Sequence, residues 1–287
     1  MISRAPAKIN LTLHIEGRGE DGYHQLTSLV AFSGAGDVLS LRPGENFSLA
    51  VEGPTALAAG VDADNLVARA ERALRVLKPD LRSGAFHLVK RLPVAAGIGG
   101  GSSDAAAALR LLAKLNGFAP DDPALFEAAR KTGADIPVCL DPQARMMQGI
   151  GEILGPPLRL PPLFAVLVNP RQPVETRAVF QKLGLKPGEK LGYGAHPPIE
   201  PGMDRESLFR ALKKGRNDLE DAASVIAPVI GHVLAVLSAA RGCRLARMSG
   251  SGATCFALFD TCRQAAAAAR VIAASHAEWW VKPSVLR

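Results

Sequence analysis

Between residues 93 and 104 the chain reads Pro-Val-Ala-Ala-Gly-Ile-Gly-Gly-Gly-Ser-Ser-Asp, and this run constrains the fold more than any other stretch. Residues 85–91 before it have β-type character, and the Ala/Leu-rich segment 105–115 after it ends at Asn116-Gly117. Strong helix formers with Ser/Asp at the start and Asn-Gly at the stop predict a strand, a glycine turn and a helix in that order. Consecutive glycines at 99, 100 and 101 take every Cβ off one face of the turn, so main-chain N–H groups can approach an anion, and the following helix aims its positive end at the same place. Ser102 and Ser103 add hydroxyls. The run is not a Walker A loop, because no Lys follows the glycines, and not a dinucleotide fingerprint, because Ser102 stands where the last Gly belongs. Neither H-R-D nor D-F-G accompanies it, as a protein kinase would require. The bland alternative is a flexible loop between strand and helix.

A length of 287 residues suits two domains, and the Pro-rich stretch 155–162 is the natural linker, giving domains 1–155 and 156–287. The first half opens with β-like runs at 8–15, 38–41 and 47–51. A helix follows at 65–77, with Leu66, Val67, Ala70, Leu74 and Leu77 on one face. The second half reads as strand 163–168, helix from Val174, a Pro/Gly-rich loop 186–204 without regular structure, helix 222–240, strands near Leu245 and at 254–259, a helix, and a strand from Trp279. That β-α-β-β-α-β order predicts an α+β fold with a ferredoxin-like second domain.

The net charge of +7 and pI near 9.5 favour acidic ligands such as nucleotides, phosphorylated metabolites or nucleic acid. No long basic run occurs, and 5% aromatic content speaks against a single-strand stacking platform. The uncharged segment 222–240 is interrupted by Pro228, Gly231 and His232 while Ile226, Val229, Ile230, Val233 and Leu237 recur at helical spacing, which predicts a buried helix rather than a membrane span. Lys8 and Asn10 interrupt the first apolar stretch, so no secretory segment is expected and the cytoplasm is the expected compartment. Cys139, Cys243, Cys255 and Cys262 lack metal-ligand spacing and read as reduced thiols. A second glycine cluster, Met248-Ser-Gly-Ser-Gly-Ala-Thr, fits a hairpin turn or a functional loop equally well.

Three motifs in order, Ala5-Pro-Ala-Lys-Ile-Asn-Leu, the segment from Pro93 and the segment from Met248, resemble the GHMP kinase superfamily of galactokinase, homoserine, mevalonate and phosphomevalonate kinases. Asp21-Gly-Tyr-His-Gln-Leu, Gly133-Ala-Asp-Ile-Pro, Val168-Asn-Pro and Val174-Glu-Thr-Arg-Ala-Val-Phe resemble the branch that phosphorylates a cytidine diphosphate alcohol in isoprenoid precursor biosynthesis. The Pro-Gly-Lys or Pro-Gly-Arg and Gly-Glu-His letters of galactokinase- and mevalonate-type relatives are missing here. Ile98 departs from the usual Leu, and the 186–204 loop has no matching motif.

The resemblance implies an N-terminal domain like ribosomal protein S5 domain 2 and an ATP-dependent small-molecule kinase. It implies Asp135 as the base that takes the hydroxyl proton and Lys8 as its cationic partner. Pro93, Gly97, Gly99, Gly100, Gly101, Ser102 and Ser103 would hold the ATP phosphates, with Asn65 near the adenine. Tyr23, His24 and Phe180 would take the cytosine, and Asn10 and Thr176 the methylerythritol part. Mg²⁺ would accompany ATP with Ser103 as the nearest hydroxyl, its carboxylate ligands unassigned. The expected partner is a small molecule rather than nucleic acid or membrane. Without the resemblance Asp135 reads as an N-cap, Lys8 as a solvated strand residue, Asn10 as a strand-edge Asn, Asn65 as a helix cap, Thr176 as a helix start and Phe180 as core. Another GHMP kinase, or a basic RNA-binding or scaffold protein, is the alternative function.

Overall fold

The computed structural model describes residues 1–59 and 64–287. In chain order its elements are β1 (Ile2–Asn10), β2 (His14–Arg18), β3 (His24–Gly44), β4 (Ser48–Glu52), α1 (Ala56–Ala59), α2 (Leu66–Leu77), β5 (Ser83–Val89), α3 (Gly100–Asn116), α4 (Pro123–Thr132), α5 (Ile136–Leu140), β6 (Arg145–Gly149), β7 (Ile153–Leu154), β8 (Leu163–Asn169), α6 (Thr176–Leu183), α7 (Arg205–Lys214), α8 (Glu220–Ile226), α9 (Val229–Ala239), β9 (Cys243–Met248), β10 (Cys255–Phe259), α10 (Cys262–Ser275) and β11 (Trp280–Leu286). They form two compact units, each assembled from pieces distant in sequence. The first holds Met1–Lys8, Ala35–Val94 and Gly99–Pro142; the second holds Ile9–Gly34, Ala95–Ile98 and Gln143–Arg287. These units cut across the linear division at 155, because β1 and β3 each run from one unit into the other and the glycine turn changes unit between Ile98 and Gly99.

In the first unit β5 pairs antiparallel with the second half of β3 and parallel with β4. The register sets Leu39 opposite Leu88 and Leu41 opposite Phe86, and all four are buried, as a period of two on one covered face requires. α2 buries Val67, Ala70 and Leu74 at helical spacing and packs on α3 and α4. Residues 105–109 of α3 are all buried, so small alanines let its neighbours approach closely. The helix starts at Gly100, five residues before the expected 105, and two of the three consecutive glycines therefore lie in its first turn. It stops where the sequence predicts, at Gly117 in a left-handed conformation with its N–H donated to Ala113.

In the second unit β11, β8, β10 and β9 lie side by side in that order, every pair antiparallel. With α9 and α10 packed against it, this is the ferredoxin-like arrangement expected of the C-terminal half. Val166, Val168, Phe259, Val233, Leu237 and Ile272 form part of its core. The helix expected over 222–240 is two helices, because Pro228 disfavours helical geometry at Ala227, whose φ of −131° and ψ of 87° break the run. Ile226, expected to be buried, is consequently 40% exposed. α7 was not anticipated. The 186–204 loop lies along β2, with Arg18 N–H donating to the Glu189 carbonyl (2.8 Å) and Leu191 N–H to that of Glu16 (2.9 Å). No helix among the described residues is long and apolar enough to cross a membrane.

Candidate active site

Asp135 occupies the N-cap position of α5, yet its side chain caps nothing. Its Oδ1 instead accepts a hydrogen bond from Lys8 Nζ at 2.8 Å. This separates the two sequence readings of the pair: Lys8 is not a solvated strand residue but is 4% exposed, on β1. A Cβ built on Gly99 would lie 3.3 Å from Lys8 Cβ and 3.4 Å from its Cε, so the bare glycine allows the start of α3 to rest on the lysine stem. Gly99, at φ 59°, is also in the left-handed region that glycine adopts without strain.

No side chain caps α3, which leaves the N–H groups of its first turn and the positive end of its dipole without a side-chain partner. The three glycines serve different ends. The missing Cβ of Gly101 would press on Leu66 at 3.2 Å, whereas that of Gly100 would find ordinary contacts at 3.6–3.7 Å with Lys90 and Leu92. A side chain at Gly100 would therefore point toward Lys90 and Leu92, while its N–H belongs to the uncapped first turn of α3. Pro93 is buried ahead of the turn, and Ser102 is half-buried. Ser103 departs from expectation: it is 1% exposed and its hydroxyl donates inward to the Pro6 carbonyl at 2.6 Å, so it presents no hydroxyl to a metal. Asn65 caps α2, its side-chain oxygen accepting from Val67 N–H at 3.0 Å.

Beneath the helix start lies a buried charge cluster. Lys90 pairs with Asp104 of α3 at 2.7 Å and with Asp37 of β3, which also accepts the N–H groups of Arg91 and Leu92. Burial, with Asp37 adding to it against the pull of Lys90, pushes the Asp104 carboxyl up to about 7. Burial acts to lower Lys90, but the two flanking carboxylates hold it above its ordinary value. Asp104 spends its Oδ2 on Lys90 and is itself 3% exposed. Among the described residues no three His, Cys, Asp or Glu side chains group as a metal site.

In the second unit the two glycine motifs meet. Gly97 has φ 70°, and a Cβ on it would come within 2.6 Å of both the Ser249 and the Gly252 carbonyl oxygens. Ser249 Oγ donates to Gly97 O (3.1 Å) and accepts from Asn10 N–H (3.0 Å), while Thr254 N–H donates to Ala96 O. Asn217 Nδ2 donates to the Met248 and Gly250 carbonyls, holding the loop from below. The Met248 segment is thus more than a hairpin turn: it is what the glycine turn packs on. Asn10 is 3% exposed and donates its side-chain amide to Ser28 Oγ at 2.8 Å.

The rings of His24 and Phe180 lie 4.6 Å apart between centroids at 36°, and Tyr23 beside them is 60% exposed. His24 Nε2 is buried without a hydrogen-bond partner, and burial followed by the charge of Arg18 lowers its pKa. Thr176 starts α6 and shares a hydrogen bond with Ser251 Oγ at 2.8 Å. Arg18, Asn217, Ser249 and Ser251 were not singled out by sequence. The two serines stand inside a recognised motif, but nothing in their spacing says which one faces which partner.

The chain matches the GHMP kinases N terminal domain over residues 65–141 and the GHMP kinases C terminal domain over 201–278. The 4-diphosphocytidyl-2-C-methyl-D-erythritol kinase of Xanthobacter autotrophicus is 59% identical over 290 residues, covering 100% of this chain and 99% of that protein. The protein of the same name from Methylobacterium radiotolerans is 59% identical over 288 residues with the same coverage. A crystal structure of 4-(cytidine 5'-diphospho)-2C-methyl-D-erythritol kinase is similar with a TM-score of 0.76 at 32% identity, each chain 99% covered. A homoserine kinase from Cytophaga hutchinsonii shares the fold at TM-score 0.68 and 17% identity, with 99% of this chain and 93% of that one covered.

Proposed function

The chain belongs to the GHMP kinases, and we propose that it transfers the γ-phosphoryl group of ATP to the 2-hydroxyl of 4-diphosphocytidyl-2-C-methyl-D-erythritol, giving the 2-phosphate and ADP. The observation that carries the chemistry is the Lys8–Asp135 pair standing against Gly99 at the start of α3.

Phosphoryl transfer asks a protein mainly for positioning and for charge neutralisation around the moving oxygens. The uncapped first turn of α3 supplies main-chain donors and dipole for the triphosphate. Asp135 accepts the proton of the substrate hydroxyl as its oxygen bonds to the γ-phosphorus and the bond to the β–γ bridging oxygen breaks, releasing ADP. Lys8, fixed beside that carboxylate, stabilises negative charge developing on the attacking oxygen. In the second unit Tyr23, Phe180 and the unpartnered Nε2 of His24 suit a flat base with polar edges. Thr176 and Asn10 are assigned to the polyol part.

A divalent cation held by protein groups alone does not fit: Ser103 Oγ is committed to Pro6, and Asp104 is paired with Lys90. Mg²⁺ belongs with the ATP phosphates, as is usual for a cation that keeps its waters and uses few protein ligands. A cytoplasmic location, where ATP is at hand, is part of the same proposal.

A coupled ADP-release assay tests the reading, with the cytidine diphosphate substrate set against homoserine, mevalonate and galactose. Selective turnover of the first is expected. Turnover of only another panel member would overturn the substrate assignment.

A further inference from the structure

The side chain of Arg18 joins two pieces of chain that carry the aromatic residues assigned above. Its Nε donates to the Gly22 carbonyl and its Nη1 to the Leu185 carbonyl, both at 2.9 Å. Gly22 lies in a tight turn in which Gly22 N–H donates to Gly19 O and Gly19 N–H to Tyr23 O. That turn delivers Tyr23 and His24. Leu185 follows Gly184, whose left-handed conformation ends α6, the helix that carries Phe180. The backbone of Arg18 adds a third attachment: its N–H donates to Glu189 O and its carbonyl accepts from Gly188 N–H, both at 2.8 Å. One residue of β2 therefore holds the turn before His24 and the chain leaving α6.

We propose that Arg18 is a positioning residue for nucleobase recognition, clamping the Tyr23–His24 turn to the end of α6 so that the His24 and Phe180 rings keep their spacing. The inference rests on the assignment of Tyr23, His24 and Phe180 to the base. The choice of arginine is chemical: a planar guanidinium donates in fixed, divergent directions to two carbonyls at once, whereas a lysine ammonium is a single point on a flexible stem. Its partners are neutral main-chain oxygens, so the work done is geometric, and losing it frees two acceptors. The guanidinium has a second effect on the same ring, helping burial to keep the His24 imidazole neutral, so that its unpartnered Nε2 meets the base uncharged.

Steady-state kinetics of Arg18→Met, Arg18→Lys and Phe180→Ala, with the KM for each substrate measured separately, test this. Both Arg18 variants are expected to raise the KM for 4-diphosphocytidyl-2-C-methyl-D-erythritol about tenfold, the equivalent of one or two lost hydrogen bonds, while kcat and the KM for ATP stay within about twofold. The ATP value serves as the internal measure of a folded enzyme. Full rescue by Arg18→Lys would overturn the clamp, because charge rather than two-carbonyl geometry would then be at work. Loss of ATP and cytidine substrate affinity together would also overturn it, as a general structural role. If Phe180→Ala raises the cytidine substrate KM and neither Arg18 variant does, the clamp alone fails. If none of the three moves it, the assignment of the aromatic residues to the base fails as well.

Discussion

Lys8 and Asp135, 127 residues apart in the chain, meet with 2.8 Å between Nζ and Oδ1, and they are unequally exposed: the lysine side chain 5%, the aspartate 44%. The buried partner fixes position, and the open one is free to meet a hydroxyl. Asp135→Asn keeps an oxygen for Lys8 but removes the base. It is expected to lower kcat by about 10²-fold or more, with the KM for ATP nearly unchanged, in a coupled ADP-release assay. Turnover close to that of the unaltered enzyme would remove Asp135 from the proton transfer.

The glycine run is expected to respond to alanine position by position. Gly97→Ala places a Cβ 2.6 Å from two carbonyl oxygens at a left-handed residue, so the two loops must separate. A loss of about 2 kcal/mol or more is expected, of which the backbone conformation alone accounts for about 1–2 kcal/mol. Gly100→Ala meets only ordinary contacts within a helix and is expected to leave stability unchanged or slightly raised. Urea unfolding of the two variants checks the contrast, and equal destabilisation would refute it.

Asp104 makes stability depend on pH. A carboxyl whose folded-state pKa stands above its unfolded value contributes fully below the unfolded value and loses that contribution as pH rises through the folded one. For Asp104 the window runs from its ordinary 3.8 to about 7. Asp104→Asn keeps an acceptor for Lys90 without the charge. The melting temperature of the variant minus that of the unaltered protein is expected to be more positive at pH 8 than at pH 5. A difference independent of pH would mean that Lys90 holds both carboxylates ionised throughout.

What the sequence made legible were features written locally: the strand, turn and helix around residue 100, the cap at Asn65, the stop at Gly117 and the βαββαβ order of the second half. Position along the chain could not reveal that Lys8 is buried or that Asp135 turns from its helix to meet it, because that pairing spans 127 residues. Resemblance supplied the pair, not spacing. Gly97 was legible as a glycine of a phosphate turn, yet its steric reason lies in the Ser249 and Gly252 carbonyls, which only the fold brings near. Ser103 looked available because a sequence shows a hydroxyl without its direction. Arg18 was one basic residue among 34, with nothing local to mark its two carbonyl partners.

Two serines of one loop separate the roles of its two faces. Ser249 is fully buried and links Asn10 N–H to the Gly97 carbonyl, whereas Ser251, 6% exposed, is bonded to Thr176. Ser249→Ala leaves a buried donor and acceptor without their partner, at a cost of about 1–3 kcal/mol, and loosens the turn that leads into α3. Its KM for ATP is expected to rise more than its KM for the cytidine substrate. Ser251→Ala frees the Thr176 hydroxyl, so the reverse order is expected there. Two-substrate kinetics on both variants checks the crossing. If both serines moved the same constant, the loop would have a single role, and if that constant were the KM for ATP the assignment of Thr176 to the polyol would fall.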